Sequence, residues 1–123
     1  MKKLIILIIS LLMIGCNKEE LTEQKIKMYA QNISADKLTI IIENNTEEDI
    51  TLKPGMKLKK LENNKWIELK GNNCSTLGYG IDKNGMMDLE IDLKCEYGTL
   101  TKGKYDLIKY LEDGTYINTQ FEI

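Results

Sequence analysis

Met87-Asp88-Leu89-Glu90-Ile91-Asp92-Leu93-Lys94 alternates without a break: an aliphatic or thioether side chain at every odd number, a charged one at every even number. A period of two places the apolar set on one face of an extended chain and the charges on the other, so the stretch reads as a half-buried β-strand. The same period recurs in Ile26, Met28 and Ala30, set between Lys27, Tyr29 and Gln31, and in Leu38, Ile40 and Ile42, set among Thr39, Ile41 and Glu43. After Thr22 no stretch keeps a helical stripe for three turns. The body of the chain is expected to be all-β.

Turn residues separate the strands. Pro54-Gly55, Asn63-Asn64, Asn84-Gly85 and Asp113-Gly114 suit tight turns, because Asn and Gly tolerate positive φ. A two-residue loop at Asn63-Asn64 sets Leu61 against Trp66, Lys59 against Glu68 and Leu58 against Leu69. This register gathers Met56, Leu58, Ile67 and Leu69 on one face and leaves Trp66 and Leu61 together on the other. That pair is the candidate partner-binding patch; the competing reading is a tryptophan laid over Leu61 and lysine stems.

About seven strands with closely spaced turns describe an antiparallel β-sandwich. Leu100, Gly103 and Tyr105, at the head of a late strand, have the pattern of a tyrosine corner. There a buried phenol bonds backbone a few residues upstream and pins a crossover between sheets.

The first residues have a different character. Met1-Lys2-Lys3 is basic, Leu4 to Ile14 is apolar apart from Ser10, and Gly15-Cys16 follows. Eleven residues from 4 to 14 are too few for a spanning helix, which needs roughly 17 to 25, and the arrangement is that of a secretory signal. Met13-Ile14-Gly15-Cys16 resembles a bacterial lipobox, with Met13 where Leu is usual, so Cys16 is expected to carry lipid. The alternatives are an ordinary secreted protein or an uncleaved anchor. Two or more acyl chains hold a protein on a bilayer without a transmembrane helix. The expected organisation is a lipoprotein signal peptide over 1–15, a lipidated tether over 16–24 and one sandwich domain over 25–123, on the extracytoplasmic face of a bacterial membrane.

Composition excludes several function classes. All 17 basic residues are Lys, and the chain has no His. Without imidazole there is no Ser-His or Cys-His nucleophile pair and no His ligand for zinc; without Arg there is no bidentate recognition of phosphate or guanine. The net charge of −2 becomes about −4 once Lys2 and Lys3 leave with the signal. An acidic surface does not suit nucleic acid. No catalytic residues, no metal site and no cofactor are expected. Glu47-Glu48-Asp49 with Asn44 and Asn45 gathers oxygen ligands, but lacks the spacing of a calcium loop and reads as a solvated turn.

Residues Lys37 to Ile123 resemble the bacterial immunoglobulin-like domains of surface lipoproteins and other exported proteins of low-GC Gram-positive bacteria. The resemblance rests on Leu38 to Thr46 as a strand and its turn, Leu61 to Trp66 as a hairpin, Gly78 to Gly85, and Tyr97 to Tyr105. Asn84 and Lys102 stand where that family commonly has Pro. The resemblance implies an immunoglobulin-like sandwich acting as an accessory or binding module, and offers no catalytic residue to carry over.

With Cys16 assigned to lipid, Cys74 and Cys95 remain as an even pair in an oxidising location. Extending a two-residue Asn84-Gly85 hairpin puts Cys74 directly opposite Cys95, which favours a disulfide. The same register turns Thr76, Gly78 and Gly80 inward and Leu77, Tyr79 and Ile81 outward, a conflict that a bulge would repair. Two buried reduced thiols are the alternative. Functionally the chain is expected to be a non-enzymatic surface module, with the membrane and a surface protein or wall polymer as partners. An inhibitor of an extracellular protease or wall hydrolase, using residues 71–80 as its loop, is the second expectation.

Overall fold

In the computed structural model, residues 25–74 and 78–123 are described. The signal, Cys16 and the tether lie outside them, as do Ser75, Thr76 and Leu77. Among the described residues nine strands run in chain order: β1 (Ile26–Gln31), β2 (Lys37–Asn44), β3 (Ile50–Leu52), β4 (Lys57–Glu62), β5 (Lys65–Leu69), β6 (Tyr79–Ile81), β7 (Met86–Asp92), β8 (Lys104–Tyr110) and β9 (Tyr116–Glu122). One short helix, α1 (Leu93–Tyr97), follows β7.

These strands form an antiparallel sandwich. One sheet has the order β1-β2-β7 and the other β5-β4-β8-β9; a two-stranded ladder of β3 and β6 bridges them at one end. That ladder joins the four-stranded sheet through Leu52 opposite Leu111 and through Lys53 N–H donating to the Tyr110 carbonyl at 2.8 Å. Asn44 N–H, donating to the Gly85 carbonyl at 2.9 Å, ties the segment after β6 to the three-stranded sheet.

Alternation builds the core as expected. Leu38, Ile40 and Ile42 of β2 are buried and face Leu58, Tyr105, Leu107 and Phe121 across the sandwich within one apolar cluster. The Tyr105 and Phe121 rings stack with centroids 5.4 Å apart. Lys109 also points inward from β8 and is fully buried, and its Nζ donates to the Gly55 carbonyl at 2.6 Å. Burial lowers its pKa below the ordinary lysine value.

Two expectations give way. The period-two run ends at Asp92 rather than Lys94, because the Asp92 carboxylate accepts the N–H of Cys95 at 3.0 Å and caps α1. Leu93 keeps its inward place as the first buried residue of that helix. In addition, β6 does not pair with β7. It pairs with β3, with Ile50 opposite Ile81 and Leu52 opposite Tyr79, while β7 lies against β2. Asp82 to Gly85 form a turn closed by Gly85 N–H on the Asp82 carbonyl at 2.9 Å, and of its two central candidates only Asn84 has positive φ, at 56°. This re-pairing sends Ile81 inward, where it is buried, and removes the facing conflict without a bulge.

Candidate interaction surface

The β4–β5 hairpin follows the predicted register: Leu58 opposite Leu69, Lys59 opposite Glu68, Leu61 opposite Trp66. Asn63 and Asn64 have φ of 50° and 65°, the paired left-handed conformation that matches the twist of a two-residue hairpin. Trp66 therefore stands beside Leu61 on the solvent face of the four-stranded sheet, 38% exposed. Ile67, expected in the core, is 46% exposed. Its partner across the ladder is Lys60, and β5 is the sheet's edge strand, so no apolar layer reaches it. Lys60 turns away from Ile67. Its Nζ donates to Thr101 Oγ1 at 2.6 Å and lies 3.7 Å from the Glu62 carboxylate. Among the described residues that ion pair is the only one, and Lys59 with Glu68 does not close into another.

The same face carries a second aromatic group. Tyr110 of β8 and Tyr116 of β9 are register partners with ring centroids 6.0 Å apart; Tyr116 is 61% exposed. The Lys57 ammonium sits 5.3 Å from the Tyr110 centroid, a cation–π distance. Between the two aromatic groups, Asn118 Nδ2 donates to Asp106 Oδ1 at 2.9 Å. Sequence reading overlooked this pair. A tight Asp113-Gly114 loop extended outward would set Tyr110 opposite Ile117; the observed register is centred on Asp113, which brings Tyr116 there instead.

Tyr105 is buried, and its hydroxyl donates to the Thr101 carbonyl at 2.6 Å. Gly103, two residues earlier, has φ of 155°, and the Leu100 N–H reaches across to the Ala35 carbonyl at 2.9 Å. These contacts hold the segment between α1 and β8 against the end of the three-stranded sheet.

Cys74 and Cys95 form a disulfide with Cα atoms 6.2 Å apart. The bond is the expected one, but its setting is not: Cys95 lies on α1 and Cys74 on a loop, so they are no cross-strand pair. A feature with no sequence signal fixes that loop. The Glu96 carboxylate is buried at 6% exposure and accepts the N–H groups of Asn73 and Cys74, each at 2.8 Å. Asn72 N–H adds a bond to the Glu96 carbonyl at 3.0 Å. Gly71 is needed here, since a Cβ at that position would come within 2.6 Å of Glu96 Oε1. The neighbouring Tyr97 hydroxyl has its pKa pushed up by burial and then by the charges of Glu96 and Glu68. Residues 71–74 of the candidate inhibitory loop are thus clasped onto α1.

The acidic segment near Asn44 is occupied by protein hydrogen bonds. Asn44 is fully buried, and its amide nitrogen donates to the carbonyls of Glu48, Ile81 and Asp82 at 2.8, 3.1 and 3.1 Å. Asp49 Oδ1 accepts from Lys83 N–H at 2.9 Å. Among the described residues no cluster of His, Cys, Asp or Glu has the geometry to hold a metal ion, and no helix is long and apolar enough to cross a membrane.

Comparison with known proteins agrees with this architecture. Among solved structures, the chain is similar to the archaellum periplasmic stator complex of FlaF and FlaG from Sulfolobus acidocaldarius, at 14% identity and TM-score 0.54, covering 79% of this chain and 88% of that one. It is similar to the stator protein FlaG of the same organism at 14% identity and TM-score 0.53, covering 78% and 99%. Likeness at that identity speaks to the fold alone. No curated protein matches in sequence. The model of a bacterial Ig-like domain matches residues 20–122, nearly the whole chain, and the protein belongs to that family.

Proposed function

We propose that this chain is a non-enzymatic Ig-like module, anchored by lipid on Cys16 to the outer face of a bacterial membrane. It engages a surface protein or wall polymer through the solvent face of its four-stranded sheet. The observation that carries the reading is the Leu61–Trp66 pair: a large aromatic, 38% exposed, on a rigid strand beside an aliphatic neighbour. Tryptophan is over-represented among residues that dominate binding energy, and a strand holds it with little entropy left to lose. The Tyr110–Tyr116 pair with Lys57 extends the same face. The lipobox-like Met13-Ile14-Gly15-Cys16 supports the anchor.

The test is retention of components from a bacterial surface fraction and of purified wall polymer by the full chain and by Trp66→Ala. One species held by the first and lost by the second is the expected result; identical retention by both refutes the surface. Palmitate labelling that survives Cys16→Ser refutes the anchor. A second reading, an inhibitor of an extracellular hydrolase, draws support from the clasped loop at Asn72 to Cys74, because a pre-ordered loop binds at lower entropic cost. Loss of a protease's or wall hydrolase's activity on adding the chain would favour it.

A further inference from the structure

The edges of a β-sandwich decide where another strand can join, because an edge presents unpaired N–H and C=O groups. Among the described residues the two main sheets end at β1, β7, β5 and β9. β1 and β9 lie against each other. β7 carries Asp88, Glu90 and Asp92 at its outward positions, all exposed, a row of like charge that repels a second copy of itself. β5 has neither protection. Its charges are matched within its own hairpin, with Lys65 opposite Glu62 and Glu68 opposite Lys59. Four of its five residues are exposed, and Trp66 and Ile67 leave large apolar groups uncovered on opposite faces of one strand.

The backbone is equally explicit. In a two-residue hairpin the flanking pair, here Glu62 and Lys65, exchanges hydrogen bonds, and the pattern then alternates. Lys65, Ile67 and Leu69 therefore direct their N–H and C=O toward β4, while Trp66 and Glu68 direct theirs outward from the sheet.

We propose that β5 pairs antiparallel with β5 of a second copy, Ile67 opposite Ile67, joining two four-stranded sheets into one continuous sheet. This rests on reading the chain as an interaction module, whose aromatic faces the pairing would place side by side. Charge excludes one register, and the contact of isoleucine with isoleucine separates the other two. A two-fold pairing that keeps both cores on one side must be centred on a residue. Centring on Glu68 sets like charges directly opposite, and centring on Trp66 sets Ile67 against Lys65. Centring on Ile67 opposes no like charges: Trp66 meets Glu68 in a hydrogen-bonded pair, Lys65 lays its stem over Leu69, and the two isoleucines meet at the axis.

Oxidative crosslinking of the full chain in membranes tests this. Ile67→Cys is expected to give a reducible covalent dimer, because the central pair is a non-hydrogen-bonded one where side chains approach closest. Asn118→Cys, exposed on β9 on the opposite, Trp66-bearing face of the sheet, is expected to give none beyond the wild-type background. Adding Glu68→Pro to Ile67→Cys removes an outward N–H and is expected to abolish the dimer without touching Trp66. Equal crosslinking by Ile67→Cys and Asn118→Cys overturns the pairing, and so does a dimer that survives Glu68→Pro in a chain with unchanged circular dichroism. A chain that never dimerises yet retains a surface partner through Trp66 sinks this pairing alone. A dimer that retains no partner sinks the function proposed above and leaves the pairing standing.

Discussion

Removing a single oxygen from Tyr105 isolates one hydrogen bond at the junction between the two sheets. The ring is 1% exposed and stacked on Phe121, so Tyr105→Phe keeps the packing and loses the bond to the Thr101 carbonyl at 2.6 Å together with the long 3.5 Å contact to Thr101 Oγ1. A net hydrogen bond is worth about 1 kcal/mol, and a buried carbonyl left unpaired costs about 1–3 kcal/mol. The bond is part-buried and Thr101 itself is exposed, so the expected loss is at the low end, about 1–1.5 kcal/mol. Tyr105→Ala removes the stacked ring as well and costs about 3–5 kcal/mol. For a domain of about 100 residues each kcal/mol lowers Tm by about 4–8 °C. Urea unfolding followed by far-ultraviolet circular dichroism and by Trp66 fluorescence measures both variants, and the single tryptophan reports the β4–β5 hairpin independently. If Tyr105→Phe lies within about 0.5 kcal/mol of wild type, the range of an inert surface change, the bond is not what pins the junction. A loss as large as that of Tyr105→Ala would show that the hydroxyl and not the ring carries the stability.

Other consequences can be checked with the same unfolding assay. The lowered pKa of Lys109 means that the unfolded chain binds more protons than the folded one between that pKa and 10.5, so stability rises with pH across the window. Lys109→Met is expected to be as stable as wild type or more so at neutral pH and to lack that rise as the pH climbs toward 10.5. Cys95→Ser opens a crosslink spanning 21 residues and should cost about 3 kcal/mol, reproduced by treating wild type with a reductant. Glu96→Gln keeps one acceptor for the two N–H groups of the clasp and is expected to lose about 1–3 kcal/mol while the disulfide still forms, checked by unfolding and thiol counting. Asn64→Ala places a Cβ-bearing residue with poor tolerance of φ 65° and should lose about 1 kcal/mol, whereas Asn64→Gly stays near wild type.

Strands whose fate is decided by neighbours close in sequence were readable from the residues. The 57–69 hairpin follows from Asn63-Asn64 and the matched pairs Lys59–Glu68 and Leu61–Trp66, all local. The inward set of β2, Leu38, Ile40 and Ile42, follows from alternation alone. What failed depended on distant contacts. The run from Met87 stops at Asp92 because a side chain that looks like one more outward charge serves as a helix cap. The partner of β6 was set by Asn44, whose buried amide gathers carbonyls from residues 37 and 38 positions away. The Glu96 clasp was invisible because a glutamate in a charged run gives no sign that two backbone N–H groups will converge on it. On the candidate surface, Trp66 and Leu61 follow from the hairpin register, while Tyr110 meets Tyr116 because the turn is centred on Asp113, a register that the Asp113-Gly114 pair alone does not indicate.

The placement of the two ends of the described domain has a mechanical consequence. β1 enters the sandwich at Ile26, opposite Asn44, and β9 leaves at the other end, where Ile123 N–H bonds the Gly103 carbonyl. Tension applied between Lys25 and Ile123 therefore runs along the strand axes, drawing β1 past β2 and β9 past β8. Ladder bonds lie perpendicular to that direction, so they are strained together and not one after another. A chain held taut between bilayer and outer load would resist stretching in shear, whereas a pull across the strands would unzip it.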